Sequence, residues 1–190
     1  MEEITSKDNK KIRHVVQLYK RKYRTTHKEF VAEGYRTVTD MLPTGTVRYV
    51  IVNTESIKQE QLHTLIALCD TYDVHVASIS ESIWKGIEMT VHGQGVLAVV
   101  CQKESRLEDF HVKENGLYLL IDGVQDPGNL GTLIRTAVGA GVQAMLLTPN
   151  TVDIYNEKTV RSTMSGLCKL PIYTQVTHAA VAKFIEDHGI

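Results

Sequence analysis

Hydrophobic positions along this chain follow two periods, and the switches between them mark out its elements. Ile12, Val15, Val16 and Tyr19 recur at i, i+3, i+4 and i+7, which predicts one face of a helix from about Asn9 to Arg24. Ser6 or Asp8 is placed to cap it, and Lys10, Lys11, Arg13, Lys20 and Arg21 cover most of the other side. Apolar runs at 30–32, 47–52, 74–77 and 95–101 read as strands. Between them 35–42, 59–69 and 81–87 read as helices, the second with Leu62, Leu65, Ile66 and Cys69 on one side. Residues 1–101 thus alternate strand and helix and form one predicted domain. Residues 102–116, QKESRLEDFHVKENG, are polar and charged and read as a linker.

The pattern resumes at Leu117 with a second predicted domain, 117–190. An apolar run to Ile121 precedes a Gly/Pro/Asn loop from Asp122 to Gly131. A helical stretch from Thr132 to Ala140 and a second apolar run, Ala144 to Leu147, complete a βαβ unit of about thirty residues. Ligands of such units sit outside the carboxyl ends of the strands, where this loop lies. It carries the amide Asn129, and the helix after it carries Arg135. Beyond a loop at 149–156, a short helix is expected over 157–165, a strand within 169–175 and a helix over 179–187. His188 and Gly189 form the C-terminal signal of that last helix. The fold class is α/β. Three strands in some 75 residues are a thin basis for a sheet covered on both faces, so the C-terminal part of this domain is expected to be missing.

Charge changes the picture at one end. Residues 1–28 hold nine Lys/Arg against three Asp/Glu, a balance of +6, whereas the rest balances at −7. A basic arm on an acidic body suggests a polyanionic partner; a solvated helix face is the plain alternative. Lys22 and Arg24 add to the arm. No apolar run reaches the ~18 residues of a membrane span, and MEEITSKDNKK lacks the apolar core of a signal peptide. Cys69, Cys101 and Cys168 are odd in number and far apart, which suits reduced thiols in a cytoplasm. No His pair has metal-ligand spacing.

Gly128-x-x-Gly131 ahead of a helix invites a dinucleotide reading and hence an oxidoreductase, but the full G-x-G-x-x-G is absent, as is GK[ST]. Those glycines equally serve a tight turn and close helix packing.

The complete string DGVQDPGNLGTLIRTAVGAGV resembles the first motif of the SpoU, or TrmH-like, branch of the SPOUT RNA methyltransferases. Asp122, Asp126, Pro127, Asn129, Gly131, Arg135, Thr136 and Ala137 fit it. A second stretch, VDIYNEKTVRSTMSGLCKLPIY, is similar to a later family motif at Asp153, Asn156, Lys158, Arg161, Leu170 and Pro171. It departs at Thr163, where the family has Ser, and at Ser165, where it has Gly; a side chain at 165 puts the local geometry in question. The segment ITSKDNKKIRHVVQLYKRKYRTTHKEFVAEGYRTVTDML, with a closing strand in Val91 to Val100, looks like the accessory RNA-binding domain often fused ahead of SpoU domains.

The resemblance implies a small N-terminal αβ RNA-binding domain followed by a partial, Rossmann-like SPOUT domain of the trefoil-knot family. It implies methyl transfer from S-adenosylmethionine to a ribose 2′-hydroxyl of RNA, ribosomal more than transfer RNA, by a homodimer at full length. Arg135 takes the acceptor role, binding phosphate and hydroxyl while the proton leaves through a neighbouring oxygen; pairing with Asp126 or Glu157 is the plain alternative. Asn129 is expected to brace the loop and hold Arg135. Asp122 and Asp126 read as loop and helix-start carboxylates. Lys10, Lys11, Arg13, Lys20, Arg21, Lys22, Arg24, Lys158 and Arg161 are candidates for RNA phosphate. Tyr19, Tyr23 and Tyr35 are candidates to stack on unpaired bases, with Tyr19 better placed for the core. The family's cofactor motifs, G-x-E-x-x-G-L and S-L-N, do not occur in these residues. The chain as given is therefore expected neither to bind the cofactor nor to transfer methyl, and a non-catalytic RNA-binding module is the alternative.

Overall fold

A computed structural model describes residues 1–89, 94–103 and 105–189. The chain forms two compact units, Met1–Lys103 with Tyr155–Glu157, and Glu104–Ile154 with Lys158–Ile190.

The first unit runs β1 (Glu2–Ile4), α1 (Lys10–Leu18), α2 (Arg21–His27), β2 (Glu29–Glu33), α3 (Tyr35–Met41), β3 (Val47–Asn53), α4 (Gln59–Thr71), β4 (His75–Ile79), α5 (Glu81–Trp84) and β5 (Val96–Cys101). Its sheet has the order β1-β4-β3-β5-β2. β1, β4 and β3 are parallel, and β5 inserts antiparallel between β3 and β2. Central strands covered on both faces need continuous apolar runs, and β5, VLAVVC, is one. One core packs Ile12, Val15 and Leu18 of α1 with Ile51, Leu97, Val99 and Trp84. Part of the expected closing strand, 91–93, lies outside the described residues.

The single helix expected over 9–24 is two. Lys20 is extended (φ −93°, ψ 128°) between them. The reason is Arg24, which is buried and donates from Nη1 to Leu18 O at 2.9 Å and Tyr19 O at 2.8 Å. Those carbonyls end α1 without intrahelical partners, and a guanidinium folded back from the next helix satisfies them. The cap comes from Asn9, whose side chain accepts from Lys11 N–H, rather than from Ser6 or Asp8. The buried face is Ile12, Val15 and Leu18, while Val16 points outward. Tyr19 packs against the core and donates its hydroxyl to Ile87 O; burial pushes its pKa up.

The second unit runs β6 (Tyr118–Ile121), α6 (Pro127–Gly139), β7 (Ala144–Leu147), α7 (Glu157–Ser162), β8 (Ile172–Tyr173) and α8 (His178–His188). Its three strands form a parallel sheet, β6-β7-β8, with β7 fully buried in the middle. The stretch read as a linker is partly core: Leu107, Phe110 and Val112 pack against Ala144, Leu146, Tyr173 and Phe184. Three apolar residues spaced through a polar segment are enough to bind it to the sheet. Two boundaries also move. α6 starts at Pro127, five residues before the expected Thr132, because Asp126 caps it and Pro127 stands in its first turn. α7 ends at Ser162, where Met164 and Ser165 both turn to positive φ.

Candidate functional site

The carboxyl edge of the second sheet gathers the polar groups of both motifs. The Asp126 side chain accepts from Asn129 N–H at 2.7 Å, closing the N-terminus of α6. That bond, more than the Lys158 ammonium 3.7 Å away, holds the Asp126 carboxyl below the usual range. At the end of β6, Asp122 accepts from Thr148 Oγ1 at 2.9 Å and meets His178 Nε2 at 3.2 Å, and both contacts lower its pKa, Thr148 first. The two carboxylates are thus structural, as expected for loop and helix-start residues.

Gly131 lets the helices approach. A Cβ there would collide with Ser162 Cβ and lie 2.8 Å from Thr159 O, so α6 and α7 touch backbone to backbone at this point. α6 therefore presents Asn129, Thr132, Arg135 and Thr136 to solvent. The close approach also brings the turn after α7 beside Arg135. There the guanidinium donates to Met164 Sδ at 3.1 Å. A thioether is a weak, uncharged acceptor, so it orients the guanidinium while leaving its charge unneutralised. Neither Asp126 nor Glu157 pairs with Arg135: Asp126 meets Lys158 instead.

Met164 has φ 46°, and Ser165 follows with φ 72° and ψ 7°. The left-handed conformation suits glycine, the residue of the family motif, and serine occupies it here with no contact among the described residues that explains the exchange. Its hydroxyl is buried and lacks a hydrogen-bond partner among the described residues. Thr163, the other departure, is buried and spends its hydroxyl on Val160 O at 2.7 Å.

Residues 9–98 match the MRM3-like substrate binding domain, and residues 116–190 match the SpoU rRNA Methylase family. The chain belongs to the SpoU/TrmH-like RNA methyltransferase family. The 23S rRNA (guanosine(2553)-2′-O)-methyltransferase RlmP of Bacillus subtilis is 33% identical over 173 residues, covering 90% of this chain and 64% of the relative. The mitochondrial rRNA methyltransferase 3 of Xenopus laevis is 29% identical over 180 residues, 93% of this chain and 42% of its own. The chain thus spans less than two thirds of either relative. Among solved structures, an rRNA methyltransferase from Sinorhizobium meliloti superposes with a TM-score of 0.85 at 29% identity, covering 97% of this chain and 69% of that one. Its AdoMet-bound form gives the same score and identity.

In this SpoU-family chain the sequence-predicted residues separate into three groups. Arg135 and Asn129 are both exposed on α6. No hydrogen bond joins them: six residues of helix separate them by about 9 Å of rise. Asn129 thus contributes its backbone N–H to the cap and does not hold Arg135, and its side-chain amide is left to solvent among the described residues. Lys158 and Arg161 are exposed on α7, Lys158 beside Asp126. On the first unit Lys10, Arg13, Lys20, Arg21 and Lys22 are exposed, while Lys11 is tied to Glu2 and near His75 Nδ1. Arg24 leaves the set of RNA candidates because it is inside the fold. Met164, Thr148 and His178 were not singled out from sequence; each meets a motif residue only through tertiary packing.

The donor set at this edge suits a phosphate and a ribose hydroxyl. Asp122, Asp126, Asn129 and Arg135 are all open to solvent, and these four side chains offer S-adenosylmethionine no apolar surface of their own. A cleft of ≈ 380 Å³ of mixed lining, Phe110, Val138 and Pro171 with Lys113, Gln143 and Lys169, lies toward the amino ends of the strands.

Proposed function

We propose that this chain carries the RNA-binding and acceptor-side parts of an S-adenosylmethionine-dependent RNA 2′-O-ribose methyltransferase acting on ribosomal RNA in the cytoplasm, a homodimer at full length. The observation that carries the reading is Arg135: an exposed guanidinium on a motif helix, oriented by a thioether and free of any carboxylate among the described residues. A guanidinium carries only N–H donors and no acceptor, so Arg135 acts by holding the acceptor phosphate and ribose oxygen in place. Asn129 offers a second, neutral donor one helical turn and more away. Lys158 and Arg161 add phosphate contacts, and the basic helices of the first unit add affinity without base recognition. RlmP and the mitochondrial rRNA methyltransferase 3, both ribosomal RNA methyltransferases, support the substrate class.

Because these side chains offer the cofactor no apolar surface of their own, their chemistry is confined to the acceptor side. Calorimetric titration of S-adenosylmethionine into residues 1–190 tests that point, with no micromolar binding expected; micromolar binding would overturn it. The RNA reading is tested by affinity against salt for a single-stranded RNA with Lys20, Arg21 and Lys22 replaced by alanine. The expected result is a shallower slope, by about one unit for each phosphate no longer neutralised. RNA binding that persists in the same chain without methyl transfer would favour the binding-module reading for residues 1–190.

A further inference from the structure

The first unit carries a preformed ring stack on its basic helices. On α2, Tyr23 and His27 stand one turn apart with centroids 6.3 Å apart and planes only 8° from parallel. His14 of α1 meets the His27 ring edge-on, at 4.9 Å and 86°. The break at Lys20 sets these rings together, since a continuous helix would carry Tyr23 and His27 away from α1. His14 is in turn fixed from below: its Nε2 lies 2.6 Å from Oε2 of Glu29, a buried carboxylate that also holds Arg48 at 3.2 Å. A carboxylate only accepts, so Nε2 carries the proton in that bond.

His27 is exposed and Tyr23 half-buried, so the pair is reached by solvent. Exposed cations neighbour these rings along the chain: Lys20 just before α2, Lys10 and Arg13 on α1 with His14, and Arg48 3.2 Å from Glu29. Solvent-accessible parallel rings on a unit whose two N-terminal helices are rich in Lys and Arg match one ligand chemistry well, a stacked base with its phosphates.

We infer that Tyr23 and His27 form a stacking platform for an unpaired RNA base, with Lys10, Arg13 and Lys20 on its phosphates. This rests on the RNA reading above and goes beyond it by naming where base, rather than backbone, is recognised. Tyr19, the other aromatic of this region, is excluded because its ring is in the core.

The test uses residues 1–190 and a short single-stranded RNA, compared with the same oligonucleotide carrying abasic sites. The wild-type chain should bind the base-bearing RNA roughly 5- to 100-fold more tightly than the abasic one. Tyr23→Ala should remove most of that preference and leave the salt slope unchanged, Tyr23→Phe should keep it, and Lys20→Ala should lower the slope by about one. Equal affinity for both oligonucleotides, or a preference unmoved in Tyr23→Ala, would overturn the platform while leaving backbone binding intact. No binding to either RNA would overturn both. The abasic comparison uses unaltered protein, so it holds even where Tyr23→Ala unfolds.

Discussion

Met164 Sδ lies 3.1 Å from Arg135 Nη1, in a turn where Met164 and Ser165 both adopt positive φ. The strained turn thus supplies an oriented partner to the guanidinium. Met164 is a soft partner that a phosphate can displace, because an anion makes a far stronger bond to arginine than a thioether does.

Arg135→Ala separates function from stability. The side chain is exposed and its bond to sulfur is weak, so unfolding free energy should move by no more than about 0.5 kcal/mol. Affinity for RNA should fall roughly 10- to 100-fold, the range for losing hydrogen bonds to a charged group. Urea denaturation and RNA titration read the two effects. A large stability loss with unchanged affinity would place Arg135 in the scaffold instead.

Ser165→Gly should stabilise the second unit by about 1–2 kcal/mol, since it relieves a left-handed non-glycine residue and removes a buried hydroxyl without a partner. Thermal or urea unfolding checks it. A destabilised variant would mean that the hydroxyl is satisfied in solution.

Gly131→Ala has the opposite sign. The added methyl meets Ser162 Cβ and the Thr159 carbonyl, backbone that cannot rotate away. A loss of roughly 1–3 kcal/mol is expected, with α6 and α7 pushed apart. A neutral result would show that the helices have room to separate.

Arg24→Met should lower stability by about 2 kcal/mol and leave the salt dependence of RNA binding alone, because it uncaps the Leu18 and Tyr19 carbonyls inside the fold. A reduced salt slope in a folded Arg24→Met chain would return Arg24 to the RNA surface.

The Asp126 carboxyl titrates below its usual range, first because Asn129 N–H donates to it. A group whose folded pKa is depressed adds stability above its unfolded value, about 4, and loses it as pH falls through the folded value. Acid unfolding below about pH 4 should therefore be less steep in Asp126→Asn, which keeps the cap through its amide oxygen. Unfolding measured between pH 2 and 6 decides it; an identical acid limb would show that this carboxylate does not contribute.

Much of the architecture was legible beforehand because burial imposes periodicity. The run Val96–Cys101 has to lie in a sheet covered on both faces, and Ala144–Leu147 likewise; both do. Helix ends were less legible. α6 begins five residues early because a cap and a proline outweigh the glycines that suggested a loop, and α1 stops early because Arg24, a residue of charged type, folds back onto its carbonyls. Leu107, Phe110 and Val112 were hidden among charges, and only the sheet beside them shows that they are core.

By itself the sequence determined the order and type of most elements, the basic arm, the two motifs and through them the family. Those are properties of local pattern and residue type. Tertiary structure decided which motif residues face solvent, that Arg24 is internal, that Met164 meets Arg135 and that His14 of α1 meets His27 of α2 edge-on. Each of these depends on how elements approach one another, Gly131 at α7 or the bend at Lys20, and contacts between distant residues leave no period in a chain.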